Sequence, residues 1–563
     1  MAGVAKINSD VHINELSQYT DKEQTEEFAK HYSSISQEYE PLTTDDFPQF
    51  SDPSVFTPPY VTPSKVERTI RKMNKKAAGV PEDIPMRIIV KFSFELAKPL
   101  SHIINTCFVQ GSYPKLWKRE YVTPVPKQIP AEKIDYFRKI SCLMNFAKIT
   151  DKIIAEFITS DMAKTRDVAQ YGNQKNLSIQ HYLVNLISKI LVNLDGTSAR
   201  ESMAAFLMMV DWSKAFDRQS HILGIQSFID NGVRPSLIPI LMSFFIGREM
   251  TVKWKGHLSS LYPLPGGGPQ GDLLGIIEYL SQTDKNTNFI DQDEKFKFID
   301  DLSFLEIINL ISIGILSYDC WKHVPSDIAI DNGFIDSSKL SIQSNLDRIL
   351  EWTNDNQMKL NADKTKYMIF NFSKKYQANT RISLDEKVID QVSSTKLLGL
   401  TITSDLTWKQ NTSSLVKRAY SRMIILKNLF SFGVSTEDLV QIYTLYIRSV
   451  VEQCAVVWHS SITQKERIEL ERTQKVALRI ILKQDYVDYQ HALKTTGLET
   501  LNDRRQKLCL NFAKKCVRND QTKKMFPVKN YQRNTRKQEK YVVPFSKTER
   551  FWKVCHTLHG KAS

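Results

Sequence analysis

Apolar side chains recur at helical spacing in two separate parts of the chain. Residues 64–105 follow this period, beginning at Val66, so helices are predicted there. Residues 415–482 follow the same period. Within them, Gly433 predicts the end of one helix and Ser435 predicts the N-cap of the next.

The middle of the chain is predicted to form strands. AAFLMMV (Ala204–Val210) is a continuous apolar run followed by Asp211, which is typical of a buried strand. FKFID and LSFLEI flank Asp300 and Asp301, and this predicts a hairpin with the two aspartates at its tip. KTKYMIFNF (364–372) alternates well enough for one more strand. The pattern as a whole predicts an α+β chain.

Composition and charge indicate what kind of molecule the chain binds. The chain has 563 residues, of which 42% are hydrophobic, so several domains with real cores are expected. Its net charge is +14, which favours a polyanionic partner. Residues 1–52 are acidic and poorly periodic, and we expect them to be mostly disordered. Residues 523–563 carry 11 bases and 2 acids with interleaved aromatics, which predicts a basic C-terminal region.

The seven cysteines indicate a reducing compartment, because they are scattered, odd in number and form no C-x-x-C pair. An intracellular protein is therefore expected, with nucleus and cytoplasm left open. Cys555, His556 and His559 resemble half of a zinc site, but no second cysteine pair completes it. The most apolar segments are too short to span a membrane, so no membrane insertion is expected.

The three aspartates Asp211, Asp300 and Asp301 are the strongest candidates for chemistry. Phosphoryl transfer to a 3′ hydroxyl uses two Mg²⁺ ions, which need carboxylates that converge at strand ends. Two adjacent antiparallel strands would bring these three together. Taken alone, a strand that ends in Asp and a turn rich in Asp are both ordinary features.

Five motifs in order resemble the reverse transcriptases of non-LTR retrotransposons, the LINE-like and Jockey-like elements. They are VDWSKAFD (210–217), PGGGPQGDLLG (265–275), FIDD (298–301), MKLNADKTKYMIF (358–370) and KLLGLTI (396–402). Upstream, four further segments resemble the finger motifs of that family, namely KKAAGVPEDIP (75–85), TPVPK (123–127), FRKIS (137–141) and QYG (170–172). The resemblance covers roughly residues 55–520.

The resemblance implies a right-hand polymerase with fingers, an antiparallel-sheet palm and a helical thumb. The implied ranges are 53–200 for fingers, 201–410 for the palm, 411–485 for the thumb and 486–563 for a basic C-terminal extension, with the reverse transcriptase domain at about 104–403. The implied partners are an RNA template, a DNA primer or target and dNTPs. The oligomeric state is not indicated by the sequence.

The same resemblance assigns roles to individual residues. Asp211, Asp300 and Asp301 are implied to hold two Mg²⁺ ions, for which Mn²⁺ can substitute. Phe216 is implied to be the gate against a ribose hydroxyl, although a core Phe is the alternative. Other contacts to the nucleotide are expected from Arg138, Lys127, Gln270 and Lys364, with Lys366 an equal candidate to Lys364 for protonating pyrophosphate. Contacts to template and primer are expected from Gly268, Pro269, Gly271, Leu398 and Gly399.

Arg472, Lys475, Arg479 and Lys483 form one basic helix stripe that could follow a sugar-phosphate backbone, or a merely solvated face.

The expected function is RNA-directed DNA synthesis. The chain departs from the family pattern at Lys139, where many relatives have proline, and at Asp272, where a small residue is usual. The family's endonuclease domain is also expected to be missing, because 52 residues cannot hold one. The rival hypothesis is therefore a decaying or domesticated copy that binds nucleic acid without catalysis.

Overall fold

A computed structural model describes residues 13–48, 57–127, 130–195, 203–310, 335, 340–373 and 378–525. The predicted basic region beyond residue 525, including Cys555, His556 and His559, lies outside the described residues. The described helices are α1 (Asp21–Ser36), α2 (Pro63–Arg71), α3 (Met86–Lys91), α4 (Ser93–Gln110), α5 (Asn145–Asp161), α6 (Ile179–Asp195), α7 (His221–Asp230), α8 (Ile238–Phe245), α9 (Leu273–Thr283), α10 (Ser341–Asp355), α11 (Lys409–Ser431), α12 (Thr436–Ile442), α13 (Ser449–Val451), α14 (Ala455–Trp458), α15 (Gln464–Leu482), α16 (Tyr489–Thr496) and α17 (Leu501–Val517).

Strands occupy the central part of the chain and short segments beside it. They are β1 (Arg119–Pro126), β2 (Phe137–Cys142), β3 (Met203–Val210), β4 (Glu249–Trp254), β5 (His257–Leu258), β6 (Tyr262–Pro263), β7 (Lys295–Phe298), β8 (Asp301–Asn309), β9 (Lys366–Asn371), β10 (Ser383–Leu384), β11 (Lys387–Val388), β12 (Asp390–Gln391), β13 (Ser394–Leu397) and β14 (Leu400–Thr403). Helices and strands are thus mixed, as the sequence pattern predicts.

The chain divides into two compact units made of interleaved segments. The first unit comprises Met1–Asp167, Trp212–Asn288 and Arg348–Asn361, and the second comprises Val168–Asp211, Phe289–Asp347 and Ala362–Ser563. The polypeptide therefore passes between the units several times. The contiguous domain ranges derived from the family resemblance remain predictions.

The first unit holds a mixed sheet in the order β2-β1-β4-β5, with β6 also paired to β4. Strands β1 and β4 run parallel, and the other pairs are antiparallel. A helical core packs in the same unit, where Val66, predicted on a helical face, is fully buried together with Ile104, Ile153 and Phe244.

The expectation that residues 1–52 are mostly disordered is wrong for residues 13–48. Helix α1 begins at a capping box in which Thr20 and Glu23 satisfy each other's backbone N–H groups. Phe28 on this helix is completely buried, and its ring lies 5.1 Å from that of Phe137 and 5.0 Å from that of Trp254. A few aromatic side chains thus anchor a segment whose acidic composition resembles that of a disordered one.

The second unit is built around a sheet in the order β12-β9-β3-β8-β7. Strand β3 lies between β8 and β9 and is antiparallel to both, so Phe206 faces Glu306 on one side and Ile369 on the other. Its residues from Ala204 to Val210 are all buried. This central position explains why the strand is apolar without alternation.

Helices α11 to α17 complete the second unit. Helix α11 ends at Ser431, Gly433 follows with a φ of 74°, and the Ser435 hydroxyl accepts the backbone N–H of Asp438 at 3.2 Å. The predicted helix end and N-cap are both confirmed. In the part of the chain that the structure describes, we find no helix with the length and apolar character needed to cross a membrane.

Candidate active site

The three candidate aspartates lie at the ends of neighbouring strands in the second unit's sheet. Val210, the last residue of β3, pairs with Leu302 in β8. Continuing this register by one residue brings Asp211 opposite Asp301, and facing Cα atoms of an antiparallel pair lie roughly 4.5–5.5 Å apart. Asp300 precedes Asp301 in the turn between β7 and β8. The fold therefore brings together carboxylates that lie far apart in the sequence.

The hairpin tip is one residue earlier than the sequence pattern predicts. Phe298 pairs with Asp301, so the two turn residues are Ile299 and Asp300 rather than Asp300 and Asp301. Asp301 is instead the first residue of β8. The register between β7 and β8 sets the tip, and the aspartates alone do not reveal that register.

Negative charge is concentrated at this corner of the sheet. Burial by surrounding protein, followed by repulsion from Asp300 and from Asp211, raises the pKa of Asp301 to about 7, although its side chain keeps a solvent-exposed edge. Lys364 brings a cation to this corner, and its Nζ lies 3.8 Å from Oδ2 of Asp211. Thr365 also contacts Asp211, because its hydroxyl accepts the Asp211 backbone N–H at 3.2 Å.

The donor set suits a hard divalent cation. Within the described residues, no three His, Cys, Asp or Glu side chains have the arrangement of a formed metal site. Carboxylate oxygens are nevertheless the ligands that Mg²⁺ and Mn²⁺ prefer. Burial and then repulsion from Asp300 and Asp211 raise the pKa of Asp301, and a bound cation would relieve that repulsion. Asp211, Asp300 and Asp301 therefore fit such a cation in chemistry and in charge.

The Pro-Gln-Gly loop packs in the first unit against the segment that contains Phe216. Gly268 donates its N–H to the carbonyl of Phe216 at 2.8 Å, and a Cβ on Gly268 would lie 2.6 Å from Oε1 of Gln219. Pro269 is buried, and its ring atoms would lie 3.0 Å from a Cβ at Gly275. A side chain at position 268 would therefore force Gln219 to shift.

The next two residues of this loop are more open. Gln270 is half-buried, and its Nε2 donates to Oδ2 of Asp217 at 2.9 Å. Its own carbonyl accepts the N–H of Ser141 at 2.9 Å. Gly271 is exposed and has a φ of 116°, a conformation that favours glycine. The predicted nucleic-acid role of Gln270 would have to compete with its bond to Asp217.

Phe216 is half-buried rather than a full core residue. Its ring lies 5.1 Å from that of Tyr279, with the two planes tilted by 39°. Tyr279 is buried, so one side of Phe216 is fixed while the other remains partly accessible. This placement is compatible with both the gate and a packing role.

Arg138 and Lys127, the two basic candidates from the finger motifs, are both exposed. Arg138 lies on β2, where the side chains alternate between exposed and buried positions. Lys127 follows β1, and its ammonium donates to the carbonyl of Asp135 at 2.8 Å.

Leu398 and Gly399 form the two-residue turn between β13 and β14. Their φ values are 47° and 83°, as in the primed turns that connect tight hairpins. Gln453 donates its side-chain N–H to the Gly399 carbonyl at 3.3 Å. The turn therefore has a fixed conformation and a second anchor within the same unit.

The basic stripe on α15 is partly occupied by contacts with aromatic rings. Lys475 lies 4.9 Å from the ring of Tyr489, Arg479 lies 5.3 Å from that of Tyr486, and Lys483 lies 4.1 Å from that of Phe430. Arg472 is exposed, and Lys483 follows the helix rather than belonging to it. Cation–π contacts thus hold three of the four bases, and a nucleic-acid role for the stripe remains a prediction.

Curated proteins with similar sequences are polymerases of mobile elements. The RNA-directed DNA polymerase from mobile element jockey of Drosophila melanogaster is 24% identical over 366 residues, which cover 63% of this chain and 36% of that protein. The probable RNA-directed DNA polymerase from transposon BS of the same species is 23% identical over 431 residues, 73% of this chain and 44% of that protein. The chain is similar to the reverse transcriptases of non-LTR retrotransposons.

The similarity extends to other elements but remains partial. The probable RNA-directed DNA polymerase from transposon X-element of Drosophila melanogaster is 25% identical over 274 residues, 46% of this chain and 29% of that protein. The chain thus matches less than half the length of these reverse transcriptases. No protein-family model matches it. The resemblance inferred from the motifs is confirmed.

One departure from the reverse transcriptase pattern, Lys139, is buried in a group of four charged side chains. Its Nζ lies 3.9 Å from Glu120 and 3.7 Å from Asp217, and Arg248 contacts Glu120 at 3.0 Å. Burial disfavours ionisation of Glu120, but Lys139 and Arg248 outweigh it and lower the pKa of that carboxyl. Burial raises the pKa of Asp217, and Lys139 only partly offsets the rise. We name this set of two anions and two cations the buried quartet.

The other departure, Asp272, has a local structural role. It precedes α9 as the N-cap, and its carboxylate accepts the backbone N–H of Leu274 at 2.9 Å. Asp272 is buried, and burial raises its pKa despite this bond. An aspartate at an N-cap is favourable, so this substitution is consistent with an intact loop.

The motif-based reasoning assigned no role to Gln170, which contacts the hairpin that carries Asp300. Its side-chain oxygen accepts the N–H of Ile299 at 2.9 Å. The only signal in the sequence was the resemblance of QYG to a finger motif, which does not indicate this contact.

Proposed function

We propose that this chain is an RNA-directed DNA polymerase of a retroelement, which extends the 3′ end of a primer with dNTPs. The observation that carries the proposal is the convergence of Asp211 with Asp300 and Asp301, where the pKa of Asp301 rises to about 7. Such a convergent group of carboxylates fits the cation site of a polymerase. The similar proteins are RNA-directed DNA polymerases of mobile elements, and this similarity supports the same reaction.

Two divalent cations, Mg²⁺ or Mn²⁺, would be held by Asp211, Asp300 and Asp301. When bound, they would supply activation of the 3′ hydroxyl and neutralise charge on the triphosphate. The protein's own part is to fix the carboxylates on adjacent strands.

Lys364 is the better candidate for donating a proton to pyrophosphate, because its ammonium lies 3.8 Å from Asp211. Lys366 lies in β9, where its backbone faces Met209.

We further propose the right-hand architecture. The β12-β9-β3-β8-β7 sheet, in which β9, β3, β8 and β7 are antiparallel, would be the palm, with the three aspartates at its strand ends. Helices α11 to α15, which follow it in sequence, would form the thumb. The support is the order of these elements together with the matching order of the motifs.

The proposed partners are an RNA template and a DNA primer. The net charge of +14 favours binding to their phosphates. In this proposal Phe216 excludes ribonucleotides, Arg138 and Lys127 contact the triphosphate, and Gln270 contacts the nucleotide from the Pro-Gln-Gly loop.

Primer extension tests the proposal directly. Purified protein with Mg²⁺, poly(rA) and oligo(dT) should incorporate dTTP. Asp300→Asn, which keeps the shape but removes the charge, should lower incorporation by about 10³-fold or more, by analogy with the loss of other transition-state contacts. Asp390→Ala removes an exposed carboxylate from β12 of the same sheet and should leave incorporation near the wild-type rate.

Equal incorporation by the wild type and Asp300→Asn would refute the proposal. In that case the rival hypothesis, nucleic-acid binding without catalysis, predicts binding that weakens with salt and does not change with Mg²⁺. The same samples can be measured by filter binding.

A further inference from the structure

The turn that carries Asp300 has an unfavourable backbone conformation. Ile299, the first turn residue, has a φ of 59°. A β-branched side chain strongly disfavours this left-handed region, and tight hairpins usually place Asn, Asp or Gly there. Ile299 therefore needs support from outside the hairpin to stay in this conformation.

Gln170 supplies such support. Its side chain is 4% exposed, and its Oε1 accepts two backbone N–H groups, that of Ile299 at 2.9 Å and that of Gly172 at 2.8 Å. One buried carboxamide oxygen thus joins the turn to the segment that contains Gln170. All three residues belong to the second unit.

The backbone around Gln170 is fixed beside β7. Lys297 in β7 donates its N–H to Ala169 at 2.9 Å, and Tyr171 donates its N–H to Lys297 at 2.8 Å. Gln170 itself pairs with Lys297 as a parallel bridge. The backbone of Gln170 is therefore fixed beside β7 by an isolated β-bridge.

Gly172 leaves the space that the turn needs. A Cβ at this position would lie 2.6 Å from the backbone nitrogen of Ile299 and 2.6 Å from its Cγ1. Real Cβ atoms do not approach so closely, so any other residue would push the turn away. Gly172 and Gln170 therefore act on the same residue by two different means.

We propose that Gln170 and Gly172 form a clamp that sets the conformation of the Ile299–Asp300 turn and so positions Asp300 and Asp301 for the proposed cation site. Gln170 is a positioning residue, because it acts through the turn and contacts no substrate. The inference rests on the proposed polymerase function. Relaxation at Ile299 rotates the next peptide unit, which carries Asp300, and displaces its carboxylate.

The first test removes the acceptor and then restores the turn by another route. Gln170→Met keeps the length of the side chain but cannot accept the two hydrogen bonds. We expect its kcat for dTTP incorporation to fall roughly 10–100-fold, since a displacement of about 1 Å costs about that much. KM for dTTP should change less than threefold. Gln174→Met, in the same segment, is the matched control and should retain the wild-type kcat.

Rescue by glycine separates the effect on the turn from a general loss of packing. Gly adopts the positive φ that Ile disfavours. The double variant Gln170→Met with Ile299→Gly should therefore recover at least half of the decrease in log kcat that Gln170→Met causes. A destabilised core would not be repaired by adding a glycine. Wild-type kcat in Gln170→Met, or no recovery in the double variant, would overturn the clamp while the polymerase function stands.

Hydrogen exchange gives a readout that does not need catalysis. The amide of Ile299 should exchange at least tenfold faster in Gln170→Met than in the wild type, whereas amides of β3 should keep their rates. An unchanged rate at Ile299 would overturn the clamp. If the wild type fails to extend primers, the proposed function fails, and the exchange measurement still decides the clamp by itself.

Discussion

The buried quartet makes a strong prediction about Lys139, one of the two positions at which this chain departs from the reverse transcriptase pattern. The quartet contains two anions, Glu120 and Asp217, and two cations, Lys139 and Arg248, all buried in the first unit. Its charges balance. Lys139→Met keeps the length of the side chain and removes one positive charge, so the balance is lost.

Removing the positive charge of Lys139 affects mainly Asp217. Glu120 keeps Arg248 at 3.0 Å and the hydroxyl of Ser141 at 2.9 Å. Asp217 keeps the amide of Gln270 at 2.9 Å but loses the cation that lies 3.7 Å away. Removing one partner of a buried ion pair costs about 3–5 kcal/mol. Because Asp217 can take up a proton, we expect the lower end, about 3 kcal/mol at pH 7.

The sign of the pH dependence follows from this protonation. Burial already raises the pKa of Asp217 above its ordinary value of 3.8, and loss of Lys139 raises it further. The folded state then binds a proton that the unfolded state releases. Stability therefore falls as pH rises through 3.8 towards the raised pKa, so the destabilisation by Lys139→Met should be smaller at pH 5 than at pH 7.

Urea denaturation of the full chain at both pH values measures the effect. Lys139→Arg keeps the charge and should lose less stability than Lys139→Met. The double variant with Asp217→Asn again has one buried anion and one buried cation, so it should be more stable than Lys139→Met alone. A Lys139→Met variant with the wild-type midpoint, or a double variant no more stable than the single one, would refute the charge-balance argument.

Two further predictions concern Glu278 and Phe216. Glu278 is fully buried, and among the described residues neither of its carboxyl oxygens has a hydrogen-bond partner, so burial raises its pKa well above 4.5. The free energy of unfolding of the wild type, compared with that of Glu278→Gln, should therefore fall as pH rises above 4.5, by up to about 1.4 kcal/mol per pH unit until the raised pKa is reached. Glu95 is exposed, so the control Glu95→Gln should show no such pH-dependent difference in denaturation midpoint. Phe216→Ala should raise the use of ribonucleotides relative to deoxynucleotides by roughly 10–100-fold in competition assays, while Phe216→Tyr keeps the gate; equal discrimination by all three proteins would assign Phe216 to packing alone.

Local sequence patterns predicted the elements of the site better than its contacts. Strand β3 was predicted because seven consecutive apolar residues precede Asp211. The hairpin was found as well, but its tip was placed one residue late, because turn-forming aspartates are visible in sequence and strand register is not. Helix α1 was missed because its acidic residues outnumber the few aromatics, such as Phe28, that bury it.

The supporting contacts of the site could not be predicted, because they join distant segments. Gln170 and Ile299 are 129 positions apart, and no local period links them. Lys139 was recognised only as a departure from the reverse transcriptase pattern, since its partner Glu120 lies on β1 and its partner Asp217 lies in another segment of the first unit. Burial and pairing decide the role of such residues, and both are properties of the folded chain.

The central place of β3 has a consequence for synthesis of the protein. Its partner β8 ends at Asn309 and its partner β9 ends at Asn371, so both leave the ribosome long after Val210. At a translation rate of about 5–20 residues per second, the strand waits roughly 8–30 seconds for β9. An unpaired apolar strand is prone to aggregate, so efficient production of this protein should depend on chaperones that cover nascent chains.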